Sequence, residues 1–140
     1  MTQGAAAVPP IRVVAAALFD AEHRVLIAER PAGRHMAGRW EFPGGKVSAG
    51  ESDAAALARE LKEELGIEML AGRPLLESSH RYEDRHVDLS MWVVERFSGA
   101  PRGLDGQRLK WVSPAQLDAE DILEADRPFI EALQRLSRRA

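Results

Sequence analysis

Three glutamates near the middle of the chain, Glu60, Glu63 and Glu64, have the spacing of side chains that share one edge of an α-helix. Like charges at this spacing repel one another, and carboxylates near a helix C-terminus oppose the helix dipole. A helix that tolerates this cost favours a functional explanation, and a bound divalent cation is the partner that would remove the repulsion. Glutamates alone would fit a solvated acidic helix face equally well.

The residue types limit which cation could bind. The chain has no cysteine, and no histidine lies between residues 45 and 67. Carboxylate oxygens are hard ligands that suit Mg²⁺ or Mn²⁺ and do not suit zinc. Because Mg²⁺ in proteins usually bridges a few carboxylates to substrate phosphates, a reaction at phosphorus becomes the leading hypothesis.

The residues around the glutamates predict a tight loop followed by a short helix. Gly44 and Gly45 follow a proline, which allows the backbone to turn sharply and to approach a ligand closely. Ser52 can cap a helix that begins at Asp53, and Gly66 can end it in the left-handed conformation. An apolar stripe predicts the buried face of this helix: Ala54, Leu57, Ala58, Leu61 and Leu65.

The complete pattern from Gly45 to Ile67 resembles the Nudix box. Gly45 is followed after five residues by Glu51, and after seven more by the run Arg59-Glu60-Leu61-Lys62-Glu63-Glu64-Leu65-Gly66-Ile67. The motif fixes about nine positions, and the chain departs from none of them. The resemblance implies hydrolysis of a nucleoside diphosphate linked to another moiety. It also implies the family's α/β fold, an α/β/α sandwich with a mixed β-sheet in which the box forms a loop–helix–loop.

Length and composition are typical of one soluble domain. The 140 residues, 45% hydrophobic and 29% charged, predict a single domain over residues 11–140 behind a flexible tail over residues 1–10. The net charge of −3 gives no electrostatic footprint for a nucleic acid polymer. Because the sequence shows neither a membrane-spanning run nor a signal peptide, we expect a cytoplasmic protein. We also expect it to be a monomer or weak dimer.

The rest of the chain reads as strands interrupted by two further helices. Strands are predicted at residues 11–19, 24–29, 75–80, 86–97 and 109–112. We predict that the first two pair as a hairpin, and that residues 81–85 form a charged connection. A short helix is predicted after Ser113 and a final helix from Asp126. The final helix has an apolar face made of Phe129, Ile130, Leu133 and Leu136.

Segments outside the box resemble the MutT type of Nudix hydrolase. The matching segments are Arg30-Pro31, His35-Met36-Ala37, residues 40–46, Asp84-Arg85-His86, and Asp105-Gly106-Gln107 with Trp111. MutT-type enzymes are 8-oxo-dGTP diphosphatases, which sanitise the nucleotide pool and so serve DNA replication and DNA repair. The resemblance implies attack of water on the β-phosphorus, so that 8-oxo-dGTP yields 8-oxo-dGMP and pyrophosphate.

The resemblance also assigns a metal site to the box. It implies that Mg²⁺, or alternatively Mn²⁺, is held by the carbonyl of Gly45 and by the carboxylates of Glu60, Glu63 and Glu64. Glu51 would support this set or act as an outer ligand.

The catalytic residues implied by the resemblance are Glu60, Glu64, Arg59 and Asp105. Arg59 would orient a glutamate of the box, although it would also fit a simple ion pair along the helix. The general base would be either Glu60 or Asp105. The subfamily often has glutamate where Asp105 stands, and an aspartate before Gly106 is also a good turn former.

Phosphate and base contacts follow from the same resemblance. Arg30 and Lys46 would bind phosphate, the first through a bidentate fork and the second as a point charge. Arg30 would also fit an ordinary surface arginine at the end of a strand. The residues implied to bind the base are Phe42, Tyr82, Arg85 and Asp126.

Asp126 is the position where the chain departs from the MutT prototype, which has asparagine there. An aspartate two residues before Pro128 would also fit a helix cap. A related Nudix branch that hydrolyses CTP and other pyrimidine triphosphates has aspartate at this point, so CTP pyrophosphohydrolase activity is the alternative. Hydrolysis of ADP-ribose or dinucleoside polyphosphates also stays open. A catalytically inactive Nudix module that senses a ligand is a remote alternative, because such proteins usually lose box carboxylates.

Overall fold

The computed structural model describes residues 9–34 and 36–138, with side chains up to residue 136. Most of the expected tail and the motif residue His35 therefore lie outside the described residues. The described residues form β1 (Ile11–Leu18), β2 (Val25–Glu29), β3 (Trp40–Glu41), β4 (Gly44–Lys46), α1 (Asp53–Leu65), β5 (Glu68–Tyr82), β6 (Arg85–Ser98), β7 (Leu109–Val112) and α2 (Pro128–Arg138). No helix of this described part is long and apolar enough to cross a membrane.

The strands form two sheets of different character. The larger sheet has the order β4-β1-β6-β5, in which β1 and β6 are parallel and the other neighbours are antiparallel. The smaller sheet has the order β3-β2-β7 and is antiparallel throughout. The predicted α/β fold with a mixed sheet is confirmed, and the larger sheet is the mixed one.

β1 runs through the centre of the larger sheet, and its residues 14–18 are buried on both faces, as their apolar sequence predicts. Val14, Ala16 and Leu18 pack into a cluster with the apolar face of α1. Ala15 and Ala17 belong to a second cluster, which includes core residues of α2. The larger sheet therefore lies between α1 and α2, and β1 packs against α1, the helix of the box, on one face of the sheet.

The helix of the box begins and ends where the sequence predicts. Oγ of Ser52 accepts a hydrogen bond from the N–H of Ala55 at 3.1 Å, and Gly66 closes the helix with a φ of 70°. The fully buried residues of α1 are Ala56, Leu57, Leu61 and Leu65. Ala54 and Ala58, predicted to lie in the same stripe, are only partly buried. The edge of α1 that carries the glutamates therefore lies next to the buried face that packs against β1.

The predicted hairpin between the first two strands is wrong. β1 and β2 lie in different sheets, and only an isolated bridge between Phe19 and Val25 connects them. The turn itself forms: Oδ1 of Asp20 accepts hydrogen bonds from the backbone N–H groups of Glu22 and Arg24, at 2.9 and 2.8 Å. Because β4 and β6 already occupy both edges of β1, β2 has no free edge to pair with and instead begins the smaller sheet.

A long hairpin of β5 and β6 replaces the two shorter strands predicted for this region. β5 was predicted only over residues 75–80, whereas it also contains residues 68–74 and 81–82. Gly72 and Pro74 are residue types that are depleted in strands, so the sequence carried no strand signal there. The residues of β5 are exposed or partly buried along the edge of the sheet. The predicted connection over residues 81–85 shrinks to a two-residue turn, since Tyr82 pairs directly with Arg85. Both side chains therefore lie together at the hairpin tip.

Three further predictions change in detail. The glycine loop of the box contains a strand, β4, in which Gly45 lies opposite Val14 of β1. The helix predicted after Ser113 is a 3₁₀ helix, Pro114–Ala119. The last helix begins at Pro128 rather than Asp126, which ends a separate 3₁₀ turn, Glu124–Asp126, and is not its cap. In the predicted apolar face of this helix, Phe129, Ile130 and Leu133 are buried and Leu136 is partly buried.

Candidate active site

A cavity of about 540 Å³ lies between the box helix, the hairpin tip and the 3₁₀ turn that precedes α2. All the predicted site residues except Arg59 and Glu51 line it: Arg30, Phe42, Gly45, Lys46, Glu60, Glu63, Glu64, Tyr82, Arg85, Asp105 and Asp126. Apolar side chains complete the wall: Ile11, Val13, Val87, Leu89 and Leu123. The wall of the cavity therefore combines the box carboxylates with apolar residues of the strands and with a second group of charged side chains.

The backbone of β4 is in close contact with the carboxylate of Glu60 at Gly45. A Cβ at this position would lie 2.3 Å from Cδ of Glu60 and 2.5 Å from each of its carboxylate oxygens. Any side chain larger than hydrogen would displace Glu60, since atoms that are not bonded cannot approach so closely. Glycine is needed at position 45 because the Glu60 carboxylate occupies the space of a Cβ, and not because the backbone conformation excludes other residues.

Arg59 is the hub of the charged network beside the cavity. Its Nε and Nη2 donate to the two carboxylate oxygens of Glu51, at 2.7 and 3.0 Å. Its Nη1 donates to Glu60 at 3.1 Å and to Glu63 at 3.2 Å, and its Nη2 also donates to the carbonyl of Lys46 at 3.0 Å. Hydrogen bonds from this guanidinium, together with a backbone N–H, lower the pKa of Glu51 to about 2. One arginine therefore joins the loop, the helix and two of the three glutamates that are predicted metal ligands.

Glu64 has the opposite electrostatic environment. Burial is the largest cause that raises its pKa, followed by a hydrogen bond with Glu60 and the negative charge of Glu60, and then by the charges of Glu41 and Asp105. Together these raise the pKa of Glu64 to about 9. In the protein alone, Glu64 therefore holds a proton at neutral pH. A cation beside it would replace that proton.

The box glutamates do not yet form a complete set of ligands. Among the described residues, no three His, Asp or Glu side chains are close enough together to hold an ion as they stand. Glu63 bonds to Arg59 instead, and 59% of its side chain is exposed, against 15% for Glu60. The donors nevertheless fit Mg²⁺ or Mn²⁺, because all are oxygens, Glu60 and Glu64 are already hydrogen-bonded, and Glu63 lines the same cavity.

Asp126 lies at the other end of the cavity and is only 6% exposed. Its Oδ2 accepts a hydrogen bond from the backbone N–H of Phe42 at 3.0 Å, across 84 positions of sequence. Burial is the main cause that raises its pKa to about 7, and the negative charge of Glu41 adds to the effect. The Phe42 N–H and the charge of Arg30 act in the opposite direction. Asp126 is therefore close to half protonated at neutral pH.

Glu41 is a cavity carboxylate that the sequence did not single out. It is paired with Arg30, whose Nη1 donates to Oε1 at 2.8 Å, and burial raises its pKa despite that partner. Its charge raises the pKa of both Glu64 and Asp126, so it lies between the two ends of the cavity. On a strand, Glu41 between Trp40 and a phenylalanine predicts an outward-facing charge, which explains why the pattern did not reveal it.

Arg30 was predicted to bind phosphate, but it lies close to two of the residues predicted to bind the base, Tyr82 and Asp126. It is paired with Glu41, and its charge acts on both Asp126 and Tyr82. The alternative of an exposed surface arginine is not what the structure shows, because only 22% of the side chain is exposed. Its contact with phosphate stays a prediction.

The hairpin tip supplies the remaining predicted base contacts. The ring of Tyr82 packs edge-on against His80, with 4.5 Å between ring centroids, and burial together with the charge of Asp126 raises its pKa. Arg85 stands beside Tyr82 across the turn. Phe42, from the end of β3, is almost fully buried in the same wall. The fold thus unites three segments that are far apart in sequence.

Two exposed cations lie at the wall of the cavity. Lys46, at the end of β4, was predicted, whereas Arg34, in the loop between β2 and β3, was not. The sequence gave no reason to choose Arg34, since arginine in a polar loop is ordinarily a surface residue. Met36 of the same loop also lines the cavity and has a φ of 61°, which is uncommon for a residue other than glycine.

Comparison with known proteins agrees with this geometry. The family model described as NUDIX domain matches residues 14–132. The chain is 36% identical to the 8-oxo-dGTP diphosphatase of Escherichia coli K12 over 126 residues, which are 90% of this chain and 98% of the relative. It is 39% identical to the CTP pyrophosphohydrolase of the same organism over 123 residues, 88% and 91% of the two chains. A solved MutT structure, from a study of the Aliivibrio salmonicida and Vibrio cholerae proteins, aligns with a TM-score of 0.78 at 32% identity, covering 91% of this chain and 99% of that one.

The matched span contains the whole box and extends past Asp126. It therefore includes both ends of the cavity, and the relatives are similar over nearly their full length. The chain belongs to the Nudix hydrolase family, is similar to its MutT-type members, and is an enzyme that hydrolyses phosphorus anhydrides.

Proposed function

We propose that the protein is a divalent-metal-dependent nucleoside triphosphate pyrophosphohydrolase that hydrolyses 8-oxo-dGTP to 8-oxo-dGMP and pyrophosphate. The observation that carries this proposal is the continuity of one cavity, from the box carboxylates to the buried carboxyl of Asp126. A nucleotide has the same polarity, with a charged polyphosphate at one end and a flat base at the other. Such a substrate belongs to the free nucleotide pool, so the enzyme would act in the cytoplasm.

The metal end would be built from Glu60, Glu63, Glu64 and the carbonyl of Gly45, with Glu51 in support. When bound there, Mg²⁺ or Mn²⁺ would activate water and neutralise phosphate charge. Glu60 and Glu64 already lie together against the backbone, whereas Glu63 must leave Arg59 to join them.

The other residues of the box end have separable roles. Arg59 would fix Glu60 through Nη1 while the Glu51 carboxylate holds the guanidinium in place. Lys46 would contribute a point charge towards phosphate. Either Asp105 or Glu60 would take the proton of the attacking water, since both line the cavity near Glu64.

At the base end, Asp126 would select the nucleotide through its protonation state. 8-Oxoguanine has a donor at N7 and an acceptor at O6. A protonated carboxyl matches both groups, whereas an ionised carboxylate matches only the donor and repels O6. The exocyclic amine of cytosine is a donor and suits the ionised form. The charged and titratable groups around Asp126 are Glu41, Arg30 and Tyr82, and their net effect with burial is a pKa of about 7.

The proposal is tested by measuring kcat/KM for 8-oxo-dGTP and CTP from pH 6 to pH 8.5 in saturating Mg²⁺. The ratio of the two values cancels any pH dependence of the shared chemical step. In the wild-type protein we expect the ratio to favour 8-oxo-dGTP most strongly at pH 6 and to fall by up to about 100-fold by pH 8, because the protonated fraction of Asp126 falls about tenfold while the ionised fraction rises about tenfold. In Asp126→Asn the ratio should be higher and independent of pH. Asp121→Asn is the matched control, because that side chain is 67% exposed and lies outside the cavity wall.

A second candidate function, CTP pyrophosphohydrolase, is favoured by the carboxylate itself. The relative with that name is 39% identical, slightly more than the 8-oxo-dGTP diphosphatase of the same organism. If the wild-type protein ignores 8-oxo-dGTP at every pH and turns over CTP or dCTP well, the second candidate replaces the first. Product analysis decides the reaction class in either case, since a first product of orthophosphate would contradict pyrophosphate release.

A further inference from the structure

The loop of residues 99–108, between β6 and β7, is docked on the C-terminal end of α1. The backbone N–H of Arg102 donates to the carbonyl of Leu65 at 3.0 Å, and the N–H of Leu104 donates to the carbonyl of Glu64 at 3.0 Å. These are carbonyls that a helix leaves without partners at its end. The loop thus caps the helix at the residue whose side chain faces the cavity, and it carries Asp105 to the same cavity wall.

The side chain of Gln107 joins these two parts of the site. Its Oε1 accepts a hydrogen bond from the backbone N–H of Asp105 at 2.9 Å. Its Nε2 donates to the carbonyl of Glu64 at 3.3 Å. One primary amide therefore bridges the backbones of two residues whose carboxyl groups lie close enough to interact.

The shape of the loop is built around this bridge. The N–H of Gly106 donates to the carbonyl of Gly103 at 3.0 Å, which closes a tight turn around Asp105. Gly103 lies so close to Gln107 that a Cβ on Gly103 would be 2.1 Å from the Gln107 carbonyl oxygen. Only glycine permits this approach, so Gln107 is folded back against its own loop.

A role in helix capping alone does not account for the bridge. The carbonyl of Glu64 already accepts a 3.0 Å hydrogen bond from Leu104, and the 3.3 Å bond from Gln107 is the weaker of the two. The stronger arm of the amide is the one to Asp105. Asp105 is itself exposed, so few other contacts can fix its position.

We propose that Gln107 is a positioning residue that holds Asp105 in place over the cavity beside Glu64. Gln107 does not itself line the cavity of the candidate active site, so it would act through Asp105. The inference rests on the proposed function in one respect: Asp105 is one of the two candidate bases, and Gln107 gives that candidate a fixed location. It also supplies a reason for a glutamine in the Asp105-Gly106-Gln107 run that the sequence pattern alone did not explain.

The test is a double-mutant cycle on kcat and KM with the best nucleotide substrate in saturating Mg²⁺. Gln107→Met keeps the length of the side chain and removes both hydrogen bonds. We expect it to lower kcat about tenfold with KM changed by less than about twofold. Combined with Asp105→Asn, it should lower kcat by no more than about twofold beyond Asp105→Asn alone, because the two residues act as a unit. If the fold-reductions in kcat of the two single variants multiply in the double variant, the two residues act independently and the proposal is overturned.

Gln134→Met is the matched control. Gln134 also donates through Nε2 to a backbone carbonyl, that of Pro114 at 3.0 Å, and to Asp118 at 3.0 Å, and none of these three residues lines the cavity. Its replacement should reduce thermal stability to a similar or greater degree and leave kcat unchanged. Equal losses of kcat in both glutamine variants would assign the effect to general stability and would contradict a positioning role.

Amide hydrogen exchange separates this inference from the proposed function. In Gln107→Met the N–H of Asp105 should exchange at least about tenfold faster, while the N–H of Leu104 keeps its protection. Unchanged exchange at Asp105 would overturn the inference even in a fully active enzyme. A protein that hydrolyses no nucleoside triphosphate would end the proposed function, and the exchange result would still decide whether Gln107 holds Asp105. If Asp105→Asn were fully active, the proposed hydrolase function would stand, but Asp105 would not be the general base and a catalytic role for Gln107 through Asp105 would be overturned.

Discussion

The two ends of the cavity are built in opposite ways. At the box end, charges are numerous and compensate one another: Arg59 alone bonds to Glu51, Glu60 and Glu63 within eight positions on either side. At the base end, a single carboxyl, Asp126, is buried and bonds to a backbone N–H that lies 84 positions away. The first end is specified by helical spacing, and the second exists only when the whole chain has folded.

The two ends also differ in what sets the protonation state of their buried carboxyl groups, Glu64 and Asp126. Glu64 is held protonated chiefly by burial and by its acidic neighbour, and a cation can reverse that state. Asp126 is held near half protonation chiefly by burial, with the charge of Glu41 adding to the effect and the Phe42 N–H and the charge of Arg30 opposing it. In the proposed function, the box end would respond to metal, and the end with Asp126 would respond to pH and to the hydrogen-bonding pattern of the base.

The largest effect should come from Glu64→Gln. This change keeps the shape of the side chain and removes a charged metal ligand, so we expect kcat to fall by roughly 10²–10⁴-fold in saturating Mg²⁺. Steady-state hydrolysis measures it, and Glu68→Gln is the control, because Glu68 is an exposed glutamate outside the cavity wall. Wild-type turnover that EDTA does not reduce would contradict the metal requirement on which the expectation depends.

The same variant should be more stable than the wild-type protein in EDTA at neutral pH. The pKa of Glu64 is raised from 4.5 to about 9, so folding is favoured by its protonated form and that contribution is lost as pH rises from 4.5 through 9. Glutamine is neutral at every pH. The difference in Tm between Glu64→Gln and wild type should therefore be absent near pH 4 and grow towards pH 9; a difference independent of pH would refute this account.

The next effect compares two neighbouring glycines of the box. Gly45→Ala places a Cβ against the movable end of Glu60, so the fold can absorb it, but the carboxylate must shift. We expect kcat to fall about 10–100-fold with stability reduced by less than about 1 kcal/mol. Gly44→Ala places a Cβ 2.0 Å from the backbone oxygen of Val14 and should destabilise the fold by about 2 kcal/mol or more. Urea unfolding and kinetics distinguish the two, and equal stability losses would show that the clash with Glu60 is not relieved by side-chain movement.

The sequence predicted the helix of the box with its caps, but it did not predict which strands become neighbours around the other end of the cavity. Helix period and capping are local, so α1 and the edge with Glu60 and Glu64 followed from spacing alone. Which strands become neighbours is not local, and the apolar run of β1 was equally consistent with the wrong hairpin partner. Glu41 was missed because alternation along a strand places a charge outwards, and here the outward direction is the cavity.

A smaller effect concerns Asp126 and the stability of the fold. Its pKa is raised from 3.8 to about 7, so the unfolded chain releases its proton at a lower pH than the folded protein does. Stability relative to Asp126→Asn should therefore decline as pH rises from 4 to 7, by at most about 1.4 kcal/mol per pH unit, and then level off. Urea unfolding in EDTA at several pH values measures the slope. A flat difference across this window would mean that Asp126 stays ionised in the folded protein and that protonation does not set base preference.

The smallest expected effect lies within the box and separates Glu63 from Glu64. Both are predicted metal ligands on one helix, but 59% of the Glu63 side chain is exposed and its Oε1 is bonded to Arg59 at 3.2 Å. An exposed ion pair of this kind contributes roughly 0–1 kcal/mol, so its loss and the removal of one negative charge nearly cancel. Glu63→Gln in EDTA should therefore have the wild-type Tm within about 1 °C at every pH from 4 to 9, in contrast to Glu64→Gln. If both variants gain the same stability at pH 8, repulsion is shared along the whole acidic edge, and the distinction between a buried, protonated Glu64 and a solvated, paired Glu63 does not hold in solution.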